Sequence, residues 1–210
     1  MSSTFVSASE AGVVEWGVCG RPIPGEVVSG DMHLVTPFPG GVLSAVVDGL
    51  GHGTHAEIAA QAAIQELERR AGEPVADLVQ RCHDELKRTR GAVLSIASID
   101  AVHHSLTWMG VGNVEGRLFR ADAAARPVSE ALISRGGVVG YRLPAPHERS
   151  LDIEPGDTLI FATDGVRHGF GDEHPGSRPV GEVAAGIIEA YAKPTDDALV
   201  LVVRYLGSGR

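Results

Sequence analysis

With 210 residues, 43% of them hydrophobic and 21% charged, the chain has material for one well-buried core and is short for two, so a single domain over residues 1–210 is expected. A net charge of -9 excludes a nonspecific nucleic-acid binder, which needs surplus lysine and arginine to displace counterions. No run approaches the ~18 consecutive apolar residues of a membrane-spanning helix.

Met1-Ser2-Ser3-Thr4-Phe5 lacks the basic and apolar pattern of a signal peptide, so a cytoplasmic location is expected, with Cys19 and Cys82 reduced and structural. Residues 5–19 alternate loosely through Val13, Val14, Trp16 and Val18 and predict one or two strands. Arg21-Pro22-Ile23-Pro24-Gly25 then breaks the ladder, and Val27-Val28-Ser29-Gly30-Asp31 brings an acid out of a short apolar run. Phe38-Pro39-Gly40-Gly41 is a turn, and residues 41–47 form a β-branched, glycine-bounded run that reads as a buried strand delivering Asp48 to its end. Asp31 and Asp48 are thus expected on neighbouring strands. A buried carboxylate is expensive unless positive charge meets it.

Gly49, Gly51 and Gly53 permit positive φ and close approach of backbone carbonyls, and Thr54 is the expected N-cap of a helix running to Arg70. Its apolar face is predicted from Ile58, Ala59, Ala62, Ala63 and Leu67, with Glu57, Gln61, Glu66, Glu68 and Arg69 opposite. Strand, acid, glycine turn and helix together suggest a metal seat. A second helix carries Val75, Leu78, Val79, Cys82 and Leu86 and ends in Lys87-Arg88-Thr89-Arg90, a basic run favourable at a helix C-terminus.

Residues 92–99, 105–111 and 115–120 read as a β-meander, with shorter strands over 128–133 and 151–153 and a turn at Glu154-Pro155-Gly156-Asp157. Residues 158–163 repeat the earlier pattern, a buried strand ending in Asp164-Gly165. An exposed loop is expected over 169–178 and a helix over 180–191. Asp196-Asp197 then stands directly before 198–203, a strand apolar enough for the centre of a sheet.

Asp31, Asp48, Asp164 and the Asp196-Asp197 pair all abut apolar strands. If they converge, mutual repulsion raises their pKa values unless hard divalent cations are present, and Mg²⁺ or Mn²⁺ with oxygen ligands suits such a cluster. Two ions about 3.5–4 Å apart can activate a bridging water and clamp phosphoryl oxygens, which points to phosphate-ester hydrolysis without a cysteine or histidine nucleophile.

Val28-Ser29-Gly30-Asp31, Val47-Asp48-Gly49-Leu50-Gly51-His52-Gly53, Ala162-Thr163-Asp164-Gly165 and Thr195-Asp196-Asp197-Ala198-Leu199 resemble, in order, the motifs of metal-dependent serine/threonine phosphatases of the SpoIIE type, within the PPM superfamily. The resemblance implies an α+β fold, a four-layer α-β-β-α sandwich. It also implies two Mn²⁺ or Mg²⁺ ions bridged by Asp48, with the Gly49 carbonyl on one, Asp164 and Asp196 on the other, and Asp31 an additional acid at the edge. Asp197 competes with Asp196 for the ligand role, and the motif favours Asp196. Leu199 stands where the family commonly has threonine or serine, and Arg21 is a candidate phosphate-binding cation.

With the motifs starting close to the N-terminus, the chain looks most like the stand-alone phosphatase of the bacterial stressosome. That implies phosphoserine and phosphothreonine substrates on STAS-domain proteins resembling RsbS and RsbR; other members act on phosphorylated anti-anti-sigma factors. Gly51-His52-Gly53-Thr54-His55-Ala56 also resembles the histidine motif of subtilisin-like proteases, but the nucleophilic serine that motif requires is missing. The same stretch fits Gly-x-Gly-x-x-Ala, yet a second helix follows where a dinucleotide-binding unit needs a strand. His52 and His55 are read as turn and helix-start residues. A phosphatase-like binding module without turnover is the non-enzymatic alternative, against which all four acid positions speak.

Overall fold

The computed structural model describes residues 4–10, 12–122, 124–125, 127–172 and 174–207; Met1-Ser2-Ser3, part of the start read for targeting, lie outside them. Among these residues six strands form one antiparallel sheet, in the order β1 (Thr4–Glu10), β2 (Val14–Arg21), β11 (Ala198–Tyr205), β10 (Thr158–Ala162), β7 (Glu115–Phe119) and β8 (Ser129–Leu132). Five form the other: β3 (Asp31–Phe38), β4 (Gly41–Gly49), β5 (Ala92–Asp100), β6 (Ser105–Val111) and β9 (Arg149–Asp152). Helices α1 (Thr54–Arg69) and α2 (Val75–Leu86) pack on the five-stranded sheet, and α3 (Val180–Tyr191) packs on the six-stranded one. This is the α-β-β-α sandwich that the resemblance implies.

Strand period explains both the layers and the position of the acids. In β4, Val42 and Val46 enter the core between the sheets, while Leu43, Ala45 and Val47 pack under α1 and α2. Asp48 shares the parity of Val42 and Val46, so it faces the gap between the sheets at their end. In β10, Leu159 and Phe161 enter the same gap and Ile160 and Ala162 pack under α3, which assigns Thr163 inward. Each large side chain buried in these layers contributes roughly 1.5–3 kcal/mol. That burial holds the strand ends rigid where the carboxylates meet. Cys19 packs under α3 and Cys82 lies on the buried face of α2, in separate layers, and no disulfide joins them. Burial pushes the Cys82 thiol up to about 12.

Several elements depart from expectation for local physical reasons. Strand β7 does not continue the meander: Gly112, at φ 96, turns the corner, and β7 crosses to pair with β10 and β8 in the other sheet. The buried face of α1 is Ala56, Ala59, Ala60, Ala63 and Leu67, a small-residue face that lets the helix lie close on the sheet, and Ile58 is 51% exposed. Glu66 is buried rather than solvated, held by Arg69 and by Arg70 at 2.8 Å. Gly53, not Thr54, is the N-cap, offering its carbonyl to the amides of Ala56 and Glu57. Asp31 begins β3 instead of ending an apolar run, and Val27 is almost fully exposed. Within the loop expected over 169–178, Phe170–Asp172 form a short 3-10 turn that buries the Phe170 ring.

Candidate active site

Strands β3 and β4 pair so that Asp31 lies directly opposite Asp48. Cross-strand neighbours stand about 4.5–5.5 Å apart at Cβ and share one face, so both carboxylates enter the gap between the sheets together. From the facing sheet come Asp164, on the turn after β10, and Asp196-Asp197, immediately before β11. The electrostatics show the convergence. Burial first, then the charges of Asp164, Asp196 and Asp197, push the Asp48 carboxyl up to about 7. Asp31 is raised well above the usual carboxylate range by burial, then by Asp48, with its bond to Thr163 acting against the shift. Asp196 is raised by burial and then by Asp164.

The surrounding groups fix these acids in place. Thr163 donates its hydroxyl to Asp31 Oδ2 at 2.7 Å, tying the end of one sheet to the start of the other, and accepts the Leu199 amide at 2.9 Å. Where Leu199 itself offers no hydroxyl, Thr163 therefore supplies the local hydrogen bond to its backbone. Asn113, on the corner between β6 and β7, donates to Asp164 Oδ2 at 2.7 Å. Lys193 donates to the Asp164 carbonyl and partly offsets the charge on Asp196.

The two adjacent aspartates are differently employed. Asp197 is 4% exposed and its carboxylate accepts the Ile23 amide at 2.6 Å and the Gly30 amide at 2.7 Å, which fastens the 23–30 loop beside Asp31. Asp196 is more open and spends one oxygen on the Asp197 amide at 3.0 Å. Glycine is required after both strand-end acids by crowding. A β-carbon on Gly49 would stand 2.0 Å from the Ala56 carbonyl oxygen, and one on Gly165 would stand 1.7 Å from that of Asp197. Positive φ is confined to the later glycines of the first turn, Gly51 and Gly53.

Arg21 is committed to structure on one side, its Nη2 bonding the Lys193 carbonyl at 2.8 Å, while its Nε is buried without a partner among the described residues. It borders a cavity of about 270 Å³ that also reaches Ser29, Asp31 and His33. His52 is exposed and bonds Glu26 at 3.1 Å, and His55 is exposed at the start of α1. Thr163, Asn113 and Lys193 were not singled out from the sequence. Asn113 is legible only as a turn residue, and the sole signal for Lys193 is its place just before Pro194-Thr195-Asp196.

Chemically, this is a cluster of hard oxygen donors with an excess of negative charge. Among the described residues no three His, Cys, Asp or Glu side chains already close on one point. Mg²⁺ and Mn²⁺ sites of this kind use one or two carboxylates and complete their shell with water, so the donors present fit such ions, whereas a closed nitrogen and sulfur site does not.

The family model for Stage II sporulation protein E (SpoIIE) matches residues 39–206. Over 145 residues the chain is 33% identical to phosphoserine phosphatase RsbX of Bacillus subtilis (strain 168), covering 68% of this chain and 69% of that one. A structure of RsbX in complex with magnesium superposes with a TM-score of 0.85 at 22% identity, over 96% of this chain and 100% of the other. A structure from work on the bacterial stressosome and the control of secondary messenger signalling superposes at 0.82 with 28% identity, over 91% and 99%.

Proposed function

Because the chain belongs to the SpoIIE family of PP2C-type serine/threonine phosphatases, we propose that it hydrolyses phosphoserine and phosphothreonine on STAS-domain proteins resembling RsbS and RsbR, and so resets a stressosome. The observation that carries the reading is the pairing of Asp31 with Asp48 across two strand ends, where the charges of Asp164 and Asp196 also reach. The choice of substrate is supported by the relative named a phosphoserine phosphatase and by the likeness to a stressosome-related structure.

In this reading Asp48, the Gly49 carbonyl, Asp164 and Asp196 would hold two Mn²⁺ or Mg²⁺ ions, and Asp31 is the further acid. When bound, such ions supply an activated water and take up charge on the phosphoryl oxygens. The chain's own contribution is position. Asn113 sets the orientation of Asp164, Thr163 sets that of Asp31, and Lys193 holds the turn that carries Asp164. Asp197 is assigned to the 23–30 loop rather than to a metal, since its carboxylate already accepts two backbone amides. Residues 1–210 are taken as one phosphatase domain acting in the cytoplasm; among the described residues no helix is long and apolar enough to cross a membrane.

Phosphate release from a phosphorylated STAS-domain protein tests the reading, with an unrelated phosphoprotein as comparison. Mn²⁺-dependent release that favours the STAS protein and disappears in Asp48→Asn is expected. Equal rates on both proteins would remove the substrate assignment while leaving the chemistry.

A further inference from the structure

The basic run at the end of α2 is not used by the site described above. Residues 87–99 contain Lys87, Arg88 and Arg90 and no acid, and residues 131–147 contain Arg135 and Arg142 and no acid, in a chain whose net charge is -9. Lys87 pairs with Asp84 at 2.7 Å. Arg88, Arg90, Arg135 and Arg142 are exposed and form no ion pair or hydrogen bond through their side chains among the described residues.

The fold brings these segments to the rim of the acid cleft. The Arg90 guanidinium lies against the glycine turn, so that a β-carbon on Gly51 would stand 2.9 Å from its Nη1. The Leu50 amide donates to the Gly91 carbonyl at 3.0 Å, and Thr89 caps the end of α2 through Leu86, so this corner is fixed to the loop that follows Asp48. The second segment is joined to the first by reciprocal bonds between Ala92 and Val139, at 3.0 and 2.8 Å. At its other end Arg135 bonds through its backbone to Gly110 and Gly112, next to the Asn113 that holds Asp164. Arg90 therefore stands on the Asp48 side of the cleft and Arg135 on the Asp164 side. The second segment also exposes Ile133 and Tyr141, 77% and 86% accessible.

We propose that the turn after α2 and the loop over residues 133–142 form a docking surface for the acidic flank of a phosphorylated protein segment, with Arg90 and Arg135 engaging it from either side of the carboxylate cleft. This rests on the phosphatase reading for what enters the cleft. Charge complementarity selects the occupant: a buried acid cluster repels an anionic segment, and rim arginines without acid partners attract and orient it. Arginine suits the role because its planar fork pairs bidentately with carboxylates.

Two phosphoserine peptides of equal length test the surface, one flanked by glutamates and one by alanines, with p-nitrophenyl phosphate as the flank-free substrate. The two rim contacts together are expected to give about a tenfold preference in kcat/KM for the acidic peptide, ~1.4 kcal/mol, carried by KM. The preference is expected to vanish in Arg90→Ala/Arg135→Ala and to return only in part in Arg90→Lys/Arg135→Lys, which keep the charge but lose the fork, with p-nitrophenyl phosphate turnover unchanged in both. A double alanine variant that keeps the preference, or a wild type without one, overturns the proposal. Anisotropy of the labelled acidic peptide in chelator reads docking without turnover. Arginine-dependent binding without any hydrolysis would keep the docking surface and remove the phosphatase reading; hydrolysis without arginine dependence would do the reverse.

Discussion

Replacing Asp48 by asparagine should flatten the pH dependence of stability in the metal-free protein. An aspartate in the unfolded chain titrates near 3.8, whereas burial and the neighbouring charges of Asp164, Asp196 and Asp197 hold the folded Asp48 proton up to about 7. Between those values the folded state binds more protons than the unfolded one, so this group's contribution to stability falls as pH rises. A displacement of about three units, at ~1.36 kcal/mol each, sets an upper figure of about 4 kcal/mol lost between pH 4 and 8. Asp31, raised mainly by burial and then by Asp48 itself, adds to the loss with the same sign. His33 acts oppositely: burial lowers it from 6.5, so the unfolded chain takes up the extra proton below that value and stability rises with pH there. The informative quantity is therefore the difference in slope between the two proteins. Thermal melts in chelator from pH 5 to 8 should show the wild type losing more stability than Asp48→Asn as pH rises. Mg²⁺ or Mn²⁺ should restore the wild type most at pH 8. Equal slopes for the two proteins would refute the convergence of charge on Asp48.

Gly165→Ala places a methyl group 1.7 Å from the Asp197 carbonyl oxygen and should destabilise by about 3 kcal/mol or more, whereas Gly186→Ala, on the open face of α3, meets nothing within 4 Å and should stabilise by up to about 1 kcal/mol. Differential scanning calorimetry of the pair separates crowding from general sensitivity to substitution. Asp197→Ala strands the Ile23 and Gly30 amides and should lower stability by about 2 kcal/mol in urea titration, while Asp196→Ala, which anchors no loop, should leave the midpoint nearly unchanged without metal.

The layers were legible because strand period and helix period separate cleanly in this chain. In β4, however, Val42, Val46, Leu43 and Val47 are all apolar, so the run reads as a buried strand and only the structure tells which residues, and with them Asp48, face the other sheet. The strand-end acids were legible because each abuts an apolar run in the sequence, Asp48 and Asp164 where one stops and Asp196-Asp197 where one starts, although Asp31 begins β3 rather than ending a run. Less visible was what only tertiary contact decides. The corner at Gly112-Asn113 reads as a tight turn within one sheet, yet it carries the chain into the other and delivers Asn113 to Asp164. Alanine-rich α1 gives a weak face signal, so Ile58 outweighed the small residues that let the helix approach. Asp196 and Asp197 are chemically identical in sequence and are told apart by the Ile23 and Gly30 amides, which arrive from 167 or more residues away. Arg90 read as a helix-end charge because the glycine turn it rests on lies two elements earlier in the chain.

The carboxylates gathered on Asp48 are proposed to perform metal-dependent phosphate-ester hydrolysis. Turnover of p-nitrophenyl phosphate by wild type and Asp48→Asn, each with and without Mn²⁺, tests it most directly. Hydrolysis is expected only for the wild type with Mn²⁺, the other three conditions remaining at background. Equal activity in all four conditions would contradict it.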